Sequence, residues 1–207
     1  MDVSCSVCGV KYKTEKDQWD SFFKYHDGYV RMEDPLKQAK SLVLAVRSFE
    51  GERYNISPIQ LLFSLLSRSS KFVHFATWNI SNDMLGALAM LASRIPVRGI
   101  IGGINAQQVD LITAFQKEID GFELNIFGDR TTFQGPHQKL LVFDGLVAIE
   151  GSANLSLNAW MKASDYRESL RVITEIDEVR KINNSYFSRH FRAREWADHE
   201  EITDLWF

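Results

Sequence analysis

The chain has 207 residues, 45% of them apolar and 25% charged, with a formal net charge of -3 and a pI near 6.0. That length and balance suit one sizeable domain, or one domain with a short appendage. The slight acidity argues against a protein that coats nucleic acid over its whole surface, while a local basic groove stays compatible with it. The opening residues carry no apolar run of the kind a secretory signal needs. The most apolar window, 57–78, is broken by Arg68 and Lys71 before it could span a bilayer. The expected setting is therefore reducing and cytoplasmic, with no membrane partner.

In chain order, the first feature is Cys5-Ser-Val-Cys8-Gly. Two thiolates on one tight turn make half of a zinc ribbon. No second CxxC follows, and His26 is the nearest alternative ligand, so a zinc site would need a second chain; two reduced thiols are the plainer reading. Residues 1–50 form the candidate appendage and residues 51–207 the main domain. Asp34-Pro35 and Ser57-Pro58 each set an N-cap side chain before a proline at the first helical position. Leu36, Ala39, Leu42, Val43 and Val46 then recur at helical spacing, and Ile59, Leu61, Leu62, Leu65 and Leu66 follow the second start in the same way. Residues 71–78 read as a buried strand, with His74 an interior or sheet-face histidine, and 79–82 as a turn. A helix over 83–94, a strand over 97–103, a helix over 105–120, a strand over 122–129 and a loop over 130–136 follow. After a hairpin come a strand over 169–174 and a final helix over 176–195. Strands alternating with helices predict an α/β fold, a mixed and mostly parallel sheet flanked by helices.

The hairpin, HQKLLVFDGLVAIEGSAN, has polar groups at its open end and few along its length. Asp144-Gly145 between two apolar runs predicts a two-residue type I′ turn. That turn sets Phe143 opposite Leu146, Lys139 opposite Glu150 and His137 opposite Ser152. Alternation then gathers His137, Lys139, Ser152 and Asn154 at one end, where Gly151 lets the backbone pass close to a ligand. A lysine, two neutral donors and a histidine suit the oxygens and the phosphorus of a phosphodiester. No cluster of carboxylates or histidines accompanies them, so metal-free chemistry without a cofactor is expected.

The pattern His137-x-Lys139-x4-Asp144-x6-Gly151-Ser152-x-Asn154 resembles the HxK(x)4D(x)6GSxN signature of the phospholipase D superfamily at every specified position. The continuation, with Glu168 ahead of a strand, is similar as well; residues 1–50 have no counterpart. The resemblance implies the family's fold with a catalytic β-hairpin, and it implies roles. His137 would attack phosphorus and form a phosphohistidine. Lys139 and Asn154 would hold the non-bridging oxygens. Ser152 would assist by hydrogen bonding, Glu168 would orient the His137 ring, and Asp144 would be structural at the turn. A second histidine must protonate the leaving oxygen.

That second histidine is missing from the chain. His26, His74, His190 and His199 are followed two positions later by Gly28, Ala76, Arg192 and Glu201, so none begins an HxK. The expectation is a homodimer with two His137 residues meeting at a composite site, as in the short single-motif nucleases of the family. Substrate contacts are expected from Trp78 and Trp160, with Met161 beside them, and from a basic stripe on the last helix that includes Arg189 and Arg192 among aromatics. That stripe is equally the solvated face of an amphipathic helix. Three activities fit: a nuclease acting on DNA or RNA, a lipid phosphodiesterase or phosphatidyltransferase, and a non-catalytic nucleic-acid-binding subunit. The intact motif and the lack of a membrane-binding helix favour the first.

Overall fold

The structure, a computed structural model, describes residues 3–4, 11–12, 35–50, 56–126, 137–163 and 167–187, with the backbone alone at 3–4, 11–12, 35–40 and 50. The expected loop over 130–136, the cap at Asp34, and Cys5, Cys8, His26, Arg189 and Arg192 lie outside these residues. A two-residue antiparallel ladder joins β1 (Val3–Ser4) to β2 (Lys11–Tyr12). The rest is built on a six-stranded sheet.

The elements follow in the order α1 (Pro35–Glu50), α2 (Pro58–Arg68), β3 (Val73–Thr77), α3 (Asn82–Ala92), β4 (Val97–Ile101), α4 (Ala106–Glu118), β5 (Phe122–Ile126), β6 (Leu140–Phe143), β7 (Val147–Gly151), α5 (Leu157–Ala163), β8 (Leu170–Ile173) and α6 (Ile176–Tyr186). The sheet runs β5-β4-β3-β6-β7-β8. Helical crossovers make β3, β4 and β5 parallel, whereas β6 to β8 pair antiparallel with their neighbours, beginning with β6 on β3. The fold is α/β with a mixed sheet, as expected, but the antiparallel pairings outnumber the parallel ones. The reason is local: a tight hairpin can join only antiparallel strands, and β8 extends that hairpin.

Local signals set the helix starts. Ser57 accepts from the Gln60 N–H and the Gln60 side chain reaches back to the Ser57 N–H, a reciprocal cap on α2. Asn105 and Gln108 do the same for α4. Alternation along the strands gives the sheet two faces. Phe75, Leu141, Phe143, Val147 and Ile149 pack with α1 to α5, while Ala76, Leu140, Val142 and Ala148 pack with Val179 and Phe187 at α6. Leu42, Ala45 and Val46 of α1 are buried in the first of these cores, so the core runs across the expected division at residue 50. Helix α5 was not expected from periodicity; its signal is Ser156, whose hydroxyl accepts from the Ala159 N–H.

The hairpin departs from the expected register by one residue. Phe143 pairs with Val147 and Leu140 with Glu150, and Leu146 donates its N–H to the Phe143 carbonyl within the turn. The connection is thus the three residues 144–146, with positive φ at Asp144 (53°) and Gly145 (71°). Two contacts account for the extra residue. The Asp144 N–H donates to the Phe72 carbonyl at 3.0 Å, and Leu146 is buried in the core, so it leaves the ladder for the interior.

Candidate active site

The open end of the hairpin meets the carboxyl ends of β3 and β4, the place where ligands bind in open α/β sheets. Ala76 of β3 pairs with Leu140, and beyond it the chain is stitched across: Leu155 donates to Thr77 Oγ1 at 3.0 Å and Ser81 to the Leu155 carbonyl at 3.1 Å. His137 and Lys139 enter β6 at this edge, and Gly151 to Asn154 leave β7 beside them.

His137 is exposed and Lys139 half-buried. Lys139 Nζ lies 2.9 Å from His137 Nδ1 and donates to the His137 carbonyl at 2.6 Å. An ammonium only donates, so the ring contact needs an unprotonated Nδ1. The Trp78 indole stands 5.8 Å from the His137 ring, centroid to centroid, tilted by 38°. Gly103 lies against that indole, and a Cβ there would come within 2.8 Å of Trp78 Cε2. The glycine therefore sets the depth of the tryptophan. Asn154 Oδ1 accepts from the Asn79 N–H at 3.3 Å, which commits its oxygen and leaves its NH2 as the group to offer a ligand.

Ser152 sits on the other side of the cluster. Its N–H donates to the Ser169 carbonyl, its hydroxyl accepts from the Ser169 N–H at 2.9 Å, and that hydroxyl donates to Glu168 Oε2. Ser152 is therefore bound to the strand end of β8 instead of facing His137. Lys139 is not opposite Glu150 either; its carbonyl accepts from the Gly151 N–H. Both differences follow from the one-residue register shift. Glu168 engages Ser152 and not the His137 ring, because β8 borders β7 and the His137 Nδ1 is taken by Lys139. The two halves meet electrostatically at Lys139: burial lowers its pKa, and the nearby Glu168 carboxylate opposes that shift.

Two further expectations resolve differently. Trp160 is 1% exposed and belongs to the core beneath the sheet, because α5 turns it inward; it borders a void of about 10 Å³ beneath Lys139 and Gly151 instead of an open cleft. Met161, its neighbour, is exposed. Among the described residues no three His, Cys, Asp or Glu side chains come together as a metal shell, and no helix is long and apolar enough to cross a membrane.

Asp144 lies at the far end of the hairpin, roughly 20 Å from His137 at the usual strand rise. Its buried carboxylate accepts from the N–H groups of Ser70, Lys71 and Phe72 at 2.9 to 3.0 Å. Burial pushes its pKa up, against the pull of those donors.

The motif did not point to a cavity of about 560 Å³ between the hairpin, β8 and α6. Tyr186 donates its hydroxyl to Gln138 Oε1 at 3.0 Å on its wall. Its signal in the sequence was only the position of Gln138, between the two motif residues.

The chain matches no protein-family profile and no curated protein. Among solved structures it resembles NucT from Helicobacter pylori, with 20% identity, a TM-score of 0.50, and 70% of this chain and 89% of that one covered. It also resembles phosphatidylserine synthase from Haemophilus influenzae Rd KW20, with 14% identity, a TM-score of 0.39, and 63% and 42% covered. A third is TrmBL2, an archaeal chromatin protein, with 13% identity, a TM-score of 0.45, and 86% and 67% covered. With six mixed strands in the order described and the helices that flank them, the chain has the fold of the phospholipase D superfamily.

Proposed function

We propose that this protein is a metal-independent phosphodiesterase that cleaves nucleic acid through a phosphohistidine on His137, at a site completed by a second copy of the chain. The observation that carries the reading is the pairing of His137 with Lys139 at 2.9 Å, with Asn154 at the same strand ends, inside an unbroken six-position motif.

The chemistry follows from those groups. A non-bridging phosphate oxygen competes with the imidazole for the Lys139 ammonium and draws it off Nδ1. The Asn154 NH2 donates to a second oxygen, so both stabilise charge as it builds on the phosphoryl group. With the ammonium gone, the imidazole proton passes through solvent from Nε2 to the freed Nδ1; the Nε2 lone pair of His137 then attacks phosphorus, the P–N bond forms and the P–O bond to the leaving oxygen breaks. That oxygen takes a proton from His137 of the partner subunit. The same imidazole then removes a proton from water, the water oxygen bonds to phosphorus, and the P–N bond breaks to restore His137. Ser152 and Glu168 act as positioning residues: their bond fixes the β7–β8 edge and sets a carboxylate near Lys139. Trp78 offers an aromatic face beside the nucleophile on which a base can stack. A chain with one HxK needs its twin, because the acid and the nucleophile must lie on opposite sides of phosphorus.

The test is incubation of the full chain with labelled single- and double-stranded DNA and RNA and with phosphatidylcholine vesicles, all in excess EDTA. Nucleic acid should be cut, and a labelled phosphohistidine should be trapped at acid-labile, base-stable positions. Loss of cutting in EDTA, or cutting that survives His137→Ala, would overturn the mechanism. Lipid hydrolysis without nucleic-acid cutting would overturn the substrate class. Specific activity should fall on dilution as dimers dissociate; a fully active monomer would overturn the composite site.

A further inference from the structure

We infer that the cavity between the hairpin and α6 receives one unpaired nucleobase of the strand being cut, next to the scissile phosphate; this rests on the nuclease reading above. The first argument is position. Gln138 lies between His137 and Lys139, Gly151 precedes Ser152, and Ser169 follows Glu168, and all three line the cavity. Each strand end that contributes to the phosphate cluster thus contributes its chain neighbour to the cavity wall. A group tethered to the phosphorus passes from one to the other over the edge of the sheet.

The second argument is size and chemistry. A volume of about 560 Å³ falls within the range of small-ligand sites, roughly 300–1,000 Å³. Leu140, Leu170 and Ile182 give the cavity apolar walls, suited to the faces of a flat ring. The Gln138 amide and the Tyr186 hydroxyl, bonded to each other at 3.0 Å, supply a donor and acceptor edge of the kind that reads a base. Two cations line it: Lys139, which the scissile phosphate itself engages, and Arg171, which is held by Glu150 and Glu178, each at 3.0 Å. The cavity is therefore not a second phosphate site. A fatty acyl chain would bury the Gln138 and Tyr186 polar groups without returning a hydrogen bond, whereas a nucleobase returns them. A paired base is closed to such a pocket, so the substrate must be single-stranded or locally opened.

The experiment is photo-crosslinking and binding with the full-length His137→Ala chain, which keeps the oligonucleotide intact. A single strand carrying 5-iodouracil should crosslink to Tyr186, at least tenfold more than the same strand in a duplex. Ser185→Trp, at an exposed position on α6, should fill the cavity. It should weaken binding of the intact strand at least tenfold and leave binding of an abasic strand unchanged. Tyr186→Phe removes one hydroxyl and should change the preference among the four bases without shifting the unfolding midpoint, which guards against a variant that merely misfolds. Equal crosslinking of duplex and single strand, an abasic strand that binds as tightly as the intact one, or displacement of the oligonucleotide by phosphatidylcholine vesicles would overturn the assignment. If the wild-type chain holds a base in the cavity yet cuts no nucleic acid, the nuclease reading fails and the cavity assignment stands. If it cuts but ignores both the abasic strand and Ser185→Trp, the reverse holds.

Discussion

The two ends of one hairpin use polar side chains in opposite ways. At the turn, Asp144 is 2% exposed and spends its carboxylate on the backbone N–H groups of Ser70, Lys71 and Phe72. At the open end, His137 is exposed, and the bonds of His137 and Lys139 are to one another. A polar group satisfied by the backbone of its own core holds the fold together and has nothing left for a ligand. A cluster satisfied mainly by its own members can exchange those bonds for a ligand's at little loss.

That contrast predicts two opposite phenotypes. His137→Ala should lower phosphodiesterase turnover on the order of 10⁴-fold or more, and leave the denaturant midpoint nearly unmoved, because the side chain packs against little. Asp144→Asn should do the reverse. Three N–H donors, that of Phe72 buried, would face an amide with one oxygen, a loss of about 3 kcal/mol in chemical denaturation. Turnover per folded molecule should stay within about threefold. A stable Asp144→Asn protein without activity would break the comparison.

His74 sharpens it from the opposite face of the sheet. Its ring is buried between Phe72 and Phe187, with Nδ1 3.0 Å from Asn183 Oδ1. Desolvation lowers its pKa to about 4 against the Asn183 bond, which raises it; Arg98 lowers it further. Above the ordinary value of 6.5 the residue is neutral in both states. Between 6.5 and about 4 the unfolded chain binds a proton that the folded chain refuses, so stability falls as pH drops through that window, by up to about 3 kcal/mol. His74→Leu should flatten that slope in urea titrations run at several pH values, whatever it does to the midpoint itself. The smallest effect is expected at Trp78. Trp78→Ala should weaken binding of single-stranded substrate by about 1–3 kcal/mol through lost stacking, raising KM far more than it lowers kcat. An unchanged KM would remove Trp78 from the substrate path.

Much of this is legible in the sequence. The helix start at Ser57, the buried strand around Phe75 and the hairpin all follow from spacing and turn chemistry, which act over a few residues. The motif residues were found for the same reason, since their intervals reflect one strand, one turn and one returning strand. The register was not legible. Asp144 and Leu146 are drawn into contacts with Phe72 and the core, and those partners are distant in sequence. The placement of Trp160 failed for a related reason: an aromatic near a motif reads the same whether a short helix turns it inward or outward.

What the sequence determined by itself, then, was the set of chemical groups and their order: a histidine, a lysine and an asparagine carried to one end of a hairpin, on a chain that alternates strands and helices. Local periodicity and turn preference suffice for that, because each acts between near neighbours. The tertiary structure decided which of these groups touch. It bound Ser152 to Glu168 and Lys139 to His137, buried Trp160, set Gly103 against Trp78, and opened a cavity beside Gln138. Those outcomes depend on how β8 and α6 pack against the hairpin, and packing between distant segments leaves no periodic trace in the chain.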